Sequence, residues 1–356
     1  MGMENVISTL KTLDNIIGIS GDEAEVALAL KSDMEGLYDE YFEDVLGNQY
    51  FIKYGKNRDK KLVFAAHMDD IGFIINRIEK NGICRFLPIG HHDAKNVVNQ
   101  EMTIICDGEK KITGVTGAKP VHLISDSNSQ SALSIEDLFV DLGTFSEKET
   151  RALGVSEGSL MTYNRKGTLL NGSTIYSGKS VDDRAGLTAI IEAMKTLKDE
   201  VLENTVIAVG TCQEEVGMKS GGPVAKRLNP EVFIAVDVSF AGGIPGYSDE
   251  AAVCIMGNGP VVTYYDWNPD TGVGNIVPRK LINKIEQIAG KHNISLQKEI
   301  CLNGGTDAAT AAIANRGCLA GIIGIPERYM HTAVGTVDLN DIKSTAKLIA
   351  AFAKEY

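Results

Sequence analysis

Acidic and histidine side chains stand at the ends of several apolar stretches of this chain. The stretch VIAVGTCQEE is apolar and β-branched, which predicts a buried strand, and it ends in two adjacent carboxylates, Glu214 and Glu215. Adjacent anions at the end of a core strand cost free energy unless a cation lies beside them. Residues of the same ligand types follow other apolar runs or precede a helical run: His67 and Asp69, Asp182 and Asp183, Asp237, and His331.

These side chains predict a shared metal site. In open α/β sheets, functional groups gather beyond the carboxyl ends of the strands. Each residue alone has an ordinary interpretation, such as a helix N-cap for an Asp or a solvated loop for the glutamate pair. Because all of them fall where strand ends should meet, and all are metal-ligand types, we expect a metal centre. Imidazole and carboxylate together suit Zn, Mn or Co better than Ca or Mg.

The number of charges indicates two metal ions rather than one. If three of these carboxylates and the imidazoles of His67 and His331 surrounded one divalent cation, the site would keep an excess negative charge. Around two cations, the same ligands leave room for a hydroxide. Two metals about 3.5–4 Å apart need a carboxylate between them, and they activate a shared water.

The elements that must position these residues alternate between strands and helices near both ends of the chain. This alternation predicts an α/β fold with a mostly parallel mixed sheet flanked by helices. In the middle of the chain, alternating runs around the turn glycines Gly82 and Gly108 predict β-hairpins. We therefore predict a catalytic domain in two parts, 1–69 and 171–356, interrupted by an inserted β-barrel-like domain, 70–170, that serves as a dimerisation or lid domain.

Three short motifs carry secondary predictions. The stretch from Ser20 to Glu23 has the pattern of a capping box before a helix. Asp307 follows two glycines and opens a helical run, so we expect it to cap that helix. His91 and His92 lie in the inserted domain and match no ligand motif.

Charge and length limit the classes of function. The chain has 356 residues, 44% of them hydrophobic, and a formal net charge of −12. The negative charge disfavours nucleic acid and anionic membranes as partners, and no apolar run approaches the roughly 18 residues of a membrane span. The six cysteines form no CxxC pair and no signal peptide is evident, so we expect reduced thiols in a cytoplasmic protein.

A set of motifs in a fixed order carries a family resemblance over essentially the whole chain. The motifs are AAHMDDIGF, VDDRAG, QEEVG, AVDVSFAGG, GGTDAA and RYMH. Together they resemble the motifs of the tetrahedral aminopeptidases, a family of dinuclear metallopeptidases that includes glutamyl and deblocking aminopeptidases. The resemblance implies that His67 and Asp237 bind a first metal, that Glu215 and His331 bind a second, and that Asp182 bridges the two.

The resemblance also distinguishes the two neighbouring glutamates. Glu214 resembles the general base that takes a proton from the bridging water and hands it to the leaving amine. Glu215 is then the ligand, because adjacent residues at a strand end can point in different directions. Asp69, two residues after His67, resembles the carboxylate that orients the ligating imidazole.

Cofactors and assembly follow from the same resemblance. It implies two divalent ions per subunit, with Zn expected and Co or Mn as alternatives, and short peptides as substrates. Hairpin-rich inserts expose sheet edges, and pairing between subunits would cover them. We therefore expect a homo-oligomer, at least a dimer, and a dodecamer with inward-facing active sites by resemblance. The preferred N-terminal residue is not set, and Arg279, Lys280 and Arg328 are candidates for recognising an acidic one.

Other functions stay open on the sequence alone. A dinuclear carboxypeptidase or deacylase would use the same ligands. An endoglucanase-type glycoside hydrolase would need two carboxylates around a sugar bond and no metal, which leaves the histidines unexplained. A non-catalytic peptide-binding module would not need a free base such as Glu214.

Overall fold

The computed structural model describes residues 2–123, 133–245, 254–269, 272–302 and 304–356, and the chain forms two compact units. The first unit comprises Met1–Asp69, Gly167–Met330 and Val334–Tyr356. The second unit comprises Asp70–Lys166 and His331–Ala333.

The helices of the described residues fall mainly in the first unit. They are α1 (Met3–Asp14), α2 (Ala24–Asp33), α3 (Ala94–Val97), α4 (Glu147–Ala152), α5 (Val181–Leu197), α6 (Gly221–Leu228), α7 (Arg279–Lys291), α8 (Asp307–Ala312) and α9 (Leu339–Glu355). None of the helices in the described residues is long and apolar enough to cross a membrane.

The strands divide between the two units. Those of the first unit are β1 (Glu40–Glu43), β2 (Gln49–Lys53), β3 (Asn57–His67), β10 (Thr168–Leu169), β11 (Ile175–Gly178), β12 (Asn204–Thr211), β13 (Val232–Phe240), β14 (Val261–Asn268), β15 (Val273–Ile276), β16 (Gln297–Leu302), β17 (Leu319–Arg328) and β18 (Gly335–Asp338). Those of the second unit are β4 (Gly72–Ile78), β5 (Cys84–Ile89), β6 (Glu101–Ile105), β7 (Lys111–Gly117), β8 (Phe139–Asp141) and β9 (Leu160–Tyr163).

The first unit is built on one mixed sheet. Its strand order is β1-β2-β12-β3-β13-β17-β18-β11-β10, and β14 pairs with β17 and with its own neighbours β15 and β16. The four strands at the centre, β12, β3, β13 and β17, run parallel to one another. The predicted α/β fold with a mostly parallel mixed sheet is therefore confirmed.

Helices cover both faces of this sheet because the central strands are apolar on both sides. In β3, Leu62 and Phe64 face a core shared with α1, α5 and α9. The alternate residues Val63 and Ala65 face a second core shared with α6 and α8. A strand buried on both faces reads as a continuous apolar run, which is why KLVFAAH and TVIAVGT were recognisable in the sequence.

The parallel strands bring their carboxyl ends to one edge of the sheet. His67, the last residue of β3, pairs in register with Thr211, the last residue of β12. Asp237 of β13 pairs with Gly324 of β17. The sheet therefore places the ligand-type residues after these strands at one edge, as expected for an open α/β sheet.

The second unit contains a closed six-stranded barrel. Its strands close in the order β4-β5-β8-β7-β6-β9, around a core that includes Phe73, Ile104 and Met161. Both predicted hairpins occur, because β4 pairs antiparallel with β5 and β6 with β7. The expectation of exposed sheet edges in this insert is wrong, since closure pairs the edge strands with each other.

Two helix-capping predictions are also wrong. No side chain caps α2, whose N-cap position is Glu23; Ser20 instead donates its hydroxyl to Asp69, 2.6 Å away. In α8, the N-cap is Thr306, whose side chain accepts from the backbone N–H of Ala308, so Asp307 lies inside the helix. In both cases the side chain that local spacing assigned to a helix cap forms a hydrogen bond with a residue distant in sequence, Asp69 for Ser20 and Gly221 for Asp307. The six cysteines are all free thiols in this structure.

Candidate metal centre

His67, Asp182 and Asp237 form one compact group of ligand atoms. His67 Nε2 lies 3.0 Å from Asp182 Oδ1 and 3.9 Å from Asp237 Oδ1. Their ligand atoms all fall within 4.8 Å of one another, and His67 and Asp237 are buried. The three residues come from the end of β3, the start of α5 and β13, so the sheet edge itself assembles them.

The His67 imidazole is oriented by its other nitrogen. Nδ1 lies 2.9 Å from the backbone carbonyl oxygen of Asp69 and must donate to it, because a carbonyl only accepts. The Asp69 carboxylate lies further from Nδ1, at 3.5 Å. Fixing the proton on Nδ1 leaves Nε2 for a metal ion, which is the usual arrangement for a ligating histidine.

The start of α5 is shaped by two aspartates with different tasks. Asp182 and Asp183 have non-helical backbone angles inside the first turn. The buried Asp183 carboxylate accepts from the backbone N–H of His67, at 3.2 Å, and from that of Gly186, at 2.9 Å. Asp183 thus ties the helix start to the end of β3, while Asp182 is directed at the imidazole. Asp183 is part of the VDDRAG motif, but this tie to the end of β3 was not predicted from the sequence.

The two glutamates lie in the turn that follows β12. The ligand oxygens of Glu215 and Asp182 lie within 4.8 Å of each other, so Asp182 is close to both Glu215 and the His67 group. The backbone N–H groups of Glu214 and Glu215 donate to the Asp69 carboxylate, at 3.0 and 3.1 Å. Asp69 therefore holds the turn that carries both glutamates, besides lying next to His67.

Like charges and burial shift the pKa values of this site. Burial raises the pKa of Asp237 to about 7, with the charge of His67 opposing and that of Asp182 adding to the shift. Burial raises the pKa of Glu214 well above its ordinary value. The charge of His67 opposes this shift, and the charges of Asp237 and Glu215 add to it. Burial alone would lower the pKa of His67, but its hydrogen bonds with Asp182 and Asp69 and their charges raise it well above the ordinary value.

These shifts fit a cation site. Carboxylates crowded around a buried imidazole hold protons that a divalent ion would displace, because the ion stabilises the charged carboxylates and the neutral imidazole. The donor set of imidazole nitrogen and carboxylate oxygen suits a transition metal or zinc. Among the described residues, the groups that could hold a metal all contain Asp182.

His331 belongs to the second unit, where it contacts the loop after β5. Its Nδ1 lies 3.1 Å from the backbone carbonyl oxygen of His91, and the two rings stack with centroids 6.3 Å apart. Nδ1 must therefore donate, which leaves Nε2 of His331 for another partner. His92 anchors the loop, with Nε2 2.9 Å from Gly72 O. Sequence reasoning missed His91 because its contribution is a backbone carbonyl, which no motif records.

The remaining candidates lie in varied settings. Asp307 is buried and accepts from the backbone N–H of Gly221, and burial raises its pKa to about 6. Arg279 and Lys280 are exposed on α7, and the Arg279 guanidinium lies 5.8 Å from the Tyr264 ring centre. Arg328, at the end of β17, donates from Nε to Gly242 O, at 3.1 Å.

The profile of the M42 glutamyl aminopeptidase family matches residues 47–348. The lysyl aminopeptidase of Pyrococcus furiosus is 31% identical over 342 residues, which cover 95% of this chain and 94% of that protein.

Solved structures give the same result for the fold. An aminopeptidase from the archaeon Desulfurococcus kamchatkensis has a TM-score of 0.94 and 31% identity, covering 99% of this chain and 96% of its own. The TET1 peptidase of Pyrococcus horikoshii, described as assembling into a tetrahedron or a large octahedral shell, has a TM-score of 0.85 and 32% identity. That match covers 99% of this chain and all of the other.

Proposed function

The chain belongs to the M42 glutamyl aminopeptidase family and is a peptide hydrolase, and from that premise we propose that it removes N-terminal residues from short peptides with two divalent metal ions. His67 and Asp237 would hold the first ion. Glu215 and His331 would hold the second, and Asp182 would bridge them. Glu214 is the general base.

The observation that carries this proposal is the position of Asp182. Its carboxylate lies within 4.8 Å of ligand atoms of His67 and Asp237 and, in a second group, of Glu215. A carboxylate shared between two groups of ligands is what a pair of metal ions requires. The orientation of His67 supports the same assignment, because Nδ1 donates to the Asp69 carbonyl and Nε2 faces Asp182.

Two bound ions would supply an activated water and polarise the scissile carbonyl. Glu214 accepts the proton of the attacking water at its carboxylate and delivers it to the nitrogen of the leaving amine. The raised pKa of Glu214 suits that exchange, because a base that must also give up its proton works best near the operating pH. Asp69 keeps the Glu214 backbone in place through its hydrogen bond to the N–H.

The finer features of the proposal rest on chemistry. We propose zinc as the native metal, with cobalt or manganese able to replace it, because imidazole and carboxylate donors suit all three. We propose a cytoplasmic location from the six free thiols. We propose a homo-oligomer, a dimer or more and a dodecamer by analogy with the tetrahedral assembly of the TET1 peptidase. The glycoside hydrolase alternative is not favoured, because the family is one of peptidases.

A peptide mixture, half of it N-acetylated, tests the proposal when it is digested and read by mass spectrometry. Removal of single residues from free N-termini only is the expected result. Cleavage from the C-terminus would indicate the carboxypeptidase alternative, and removal of acetyl groups the deacylase. The residues released first would also show whether an acidic or a basic N-terminus is preferred.

A further inference from the structure

The turn that carries both glutamates is held by carboxylates from other parts of the chain. Three successive backbone N–H groups, those of Gln213, Glu214 and Glu215, donate to side-chain carboxylates. Gln213 N–H donates to Glu23 Oε1 at 3.1 Å, and the next two donate to the Asp69 carboxylate at 3.0 and 3.1 Å. The turn lies outside the regular strands and helices, so these bonds help to fix its position, together with the backbone bonds that Met218 and Lys219 donate within the turn.

The backbone of the turn needs such support. Gln213 has a φ of 57°, in the left-handed region that residues with a side chain seldom adopt. A residue held in that region persists only when its surroundings impose it. Glu23 accepts from the N–H of Gln213, so its hydrogen bond holds the residue that has the strained backbone.

Both anchors depend on the loop between α1 and α2. Ser20 donates its hydroxyl to Asp69 Oδ2, at 2.6 Å. Glu23 Oε1 also accepts from the N–H of Gly21, at 2.8 Å, which fixes the Glu23 side chain against its own loop. Glu23 is buried, 7% exposed, so its carboxylate is held against this loop rather than extended into solvent. The segment that the sequence suggested as a capping box thus serves a site 190 residues away.

We infer that Ser20 and Glu23 are positioning residues for the catalytic turn, and that Glu23 acts by capturing the N–H of Gln213. This inference rests on the proposed role of Glu214 for its effect on turnover, but the contact itself does not depend on that role. Glu23 touches neither ligand nor reacting atoms. It fixes the backbone from which the Glu214 side chain extends. A displacement of that carboxylate by about 1 Å can lower the rate by about 10²-fold.

Amide hydrogen exchange of residues 213–215 tests the capture without any substrate. Glu23→Ala removes the acceptor of two backbone N–H groups, those of Gly21 and the half-buried Gln213, so exchange at Gln213 should rise about tenfold or more. Glu23→Gln keeps an acceptor oxygen in the same place and should retain nearly wild-type protection. Glu35→Ala, at an exposed glutamate just after α2, is the matched control and should change nothing. Wild-type protection in Glu23→Ala would overturn the inference.

Kinetics separate positioning from a purely structural role. In Glu23→Ala, kcat should fall by up to about 10²-fold, with KM and bound metal unchanged, and Glu23→Gln should restore most of it. Ser20→Ala should give a smaller loss in kcat, with Ser32→Ala as the control. A loss explained wholly by missing metal or by unfolded protein would overturn the inference. If the wild-type protein cleaved no peptide, the proposed function would fail, and the exchange data would still decide the contact.

Discussion

Glu214 and Glu215 are neighbours, yet they should respond differently to loss of charge. Glu214→Gln should keep the metal content while kcat falls by roughly 10²–10⁴, the usual worth of general acid–base catalysis. Glu215→Gln should instead weaken the second metal site. Metal analysis of each purified variant, together with steady-state kinetics, checks both. Equal metal loss in the two variants, or normal turnover in Glu214→Gln, would contradict the assignment.

Removal of metal should abolish activity and its return should restore it. We expect exhaustive chelation to stop peptide hydrolysis and about two divalent ions per chain to recover it, because the water is activated between two ions. Titration of the chelated protein with zinc, cobalt or manganese, followed by activity and by metal analysis, measures the stoichiometry. Full activity in a sample verified as metal-free would remove the dinuclear proposal.

The pH dependence of stability of the chelated protein should reveal Asp237. Its pKa is about 7 in the folded protein against an ordinary value of 3.8, so the folded state binds more protons between these limits. The contribution of Asp237 to the free energy of unfolding is therefore present at low pH and is lost as pH rises through about 7, by at most about 1.4 kcal/mol per pH unit.

Asp237→Asn removes the ionisable carboxyl group and so isolates its contribution to the pH dependence of stability. Urea unfolding in chelator at pH 5, 6 and 7 should show the wild-type protein losing stability relative to the variant as pH rises. Added zinc should stabilise the wild type more at pH 7 than at pH 5, since binding displaces protons. Parallel pH profiles for the two chelated proteins would show that Asp237 ionises normally.

At the scale of elements, the contact between α6 and α8 tolerates no side chain at one glycine. A Cβ at Gly221 would lie 2.0 Å from Asp307 O, whereas a Cβ at Gly222 would meet nothing nearer than 3.5 Å. Gly221→Ala should therefore lower the free energy of unfolding by about 1–3 kcal/mol, the usual cost of overpacking. Gly222→Ala, one residue along, is the control and should be neutral or slightly stabilising. Urea unfolding of both variants checks this, and equal stability would refute the steric argument.

The strands and helices that could be predicted are those with strong local signals. Strands β3, β12, β13 and β17 are continuous apolar runs, and α5 and α9 are long amphipathic helices, so their types follow from the sequence. The edge strands β1 and β10 and the group β14 to β16 were not predicted. Their pairing depends on neighbours distant in sequence, and short strands with exposed residues carry little periodicity.

The candidate site shows the same division between local and distant signals. Residue types and strand ends indicated His67, Asp237 and the pair Asp182–Asp183, and the family resemblance selected Asp182; the structure brings His67, Asp182 and Asp237 together. The partners of Ser20 and Glu23 lie 49 and 190 residues away, so local spacing suggested a helix cap instead. His331 contacts His91 through the backbone carbonyl of His91, which the identity of a side chain cannot reveal.

At the scale of the whole molecule, assembly is the main prediction. Light scattering of the purified full-length chain should give a mass of at least a dimer at micromolar concentration, and of a dodecamer with metal bound. Folded proteins should then be poor substrates compared with short peptides, because an enclosed chamber admits only unfolded chains. A strictly monomeric and fully active protein would contradict the proposed assembly. A dimer at all metal concentrations would contradict the dodecamer and keep the dimer.

The interruption of the first unit between Asp69 and Gly167 has a consequence for biosynthesis. All the barrel strands, β4 to β9, lie in one continuous segment, Asp70–Lys166, so the barrel is synthesised before the rest of the first unit. Strand β3, made earlier, must wait for β12 and β13. His67 and its β12 partner Thr211 are about 140 residues apart, and at about 5–20 residues per second that gap lasts about 7 to 28 s. During this time an apolar strand is without its neighbours, so the nascent chain exposes a surface that favours aggregation until β12 and β13 are made.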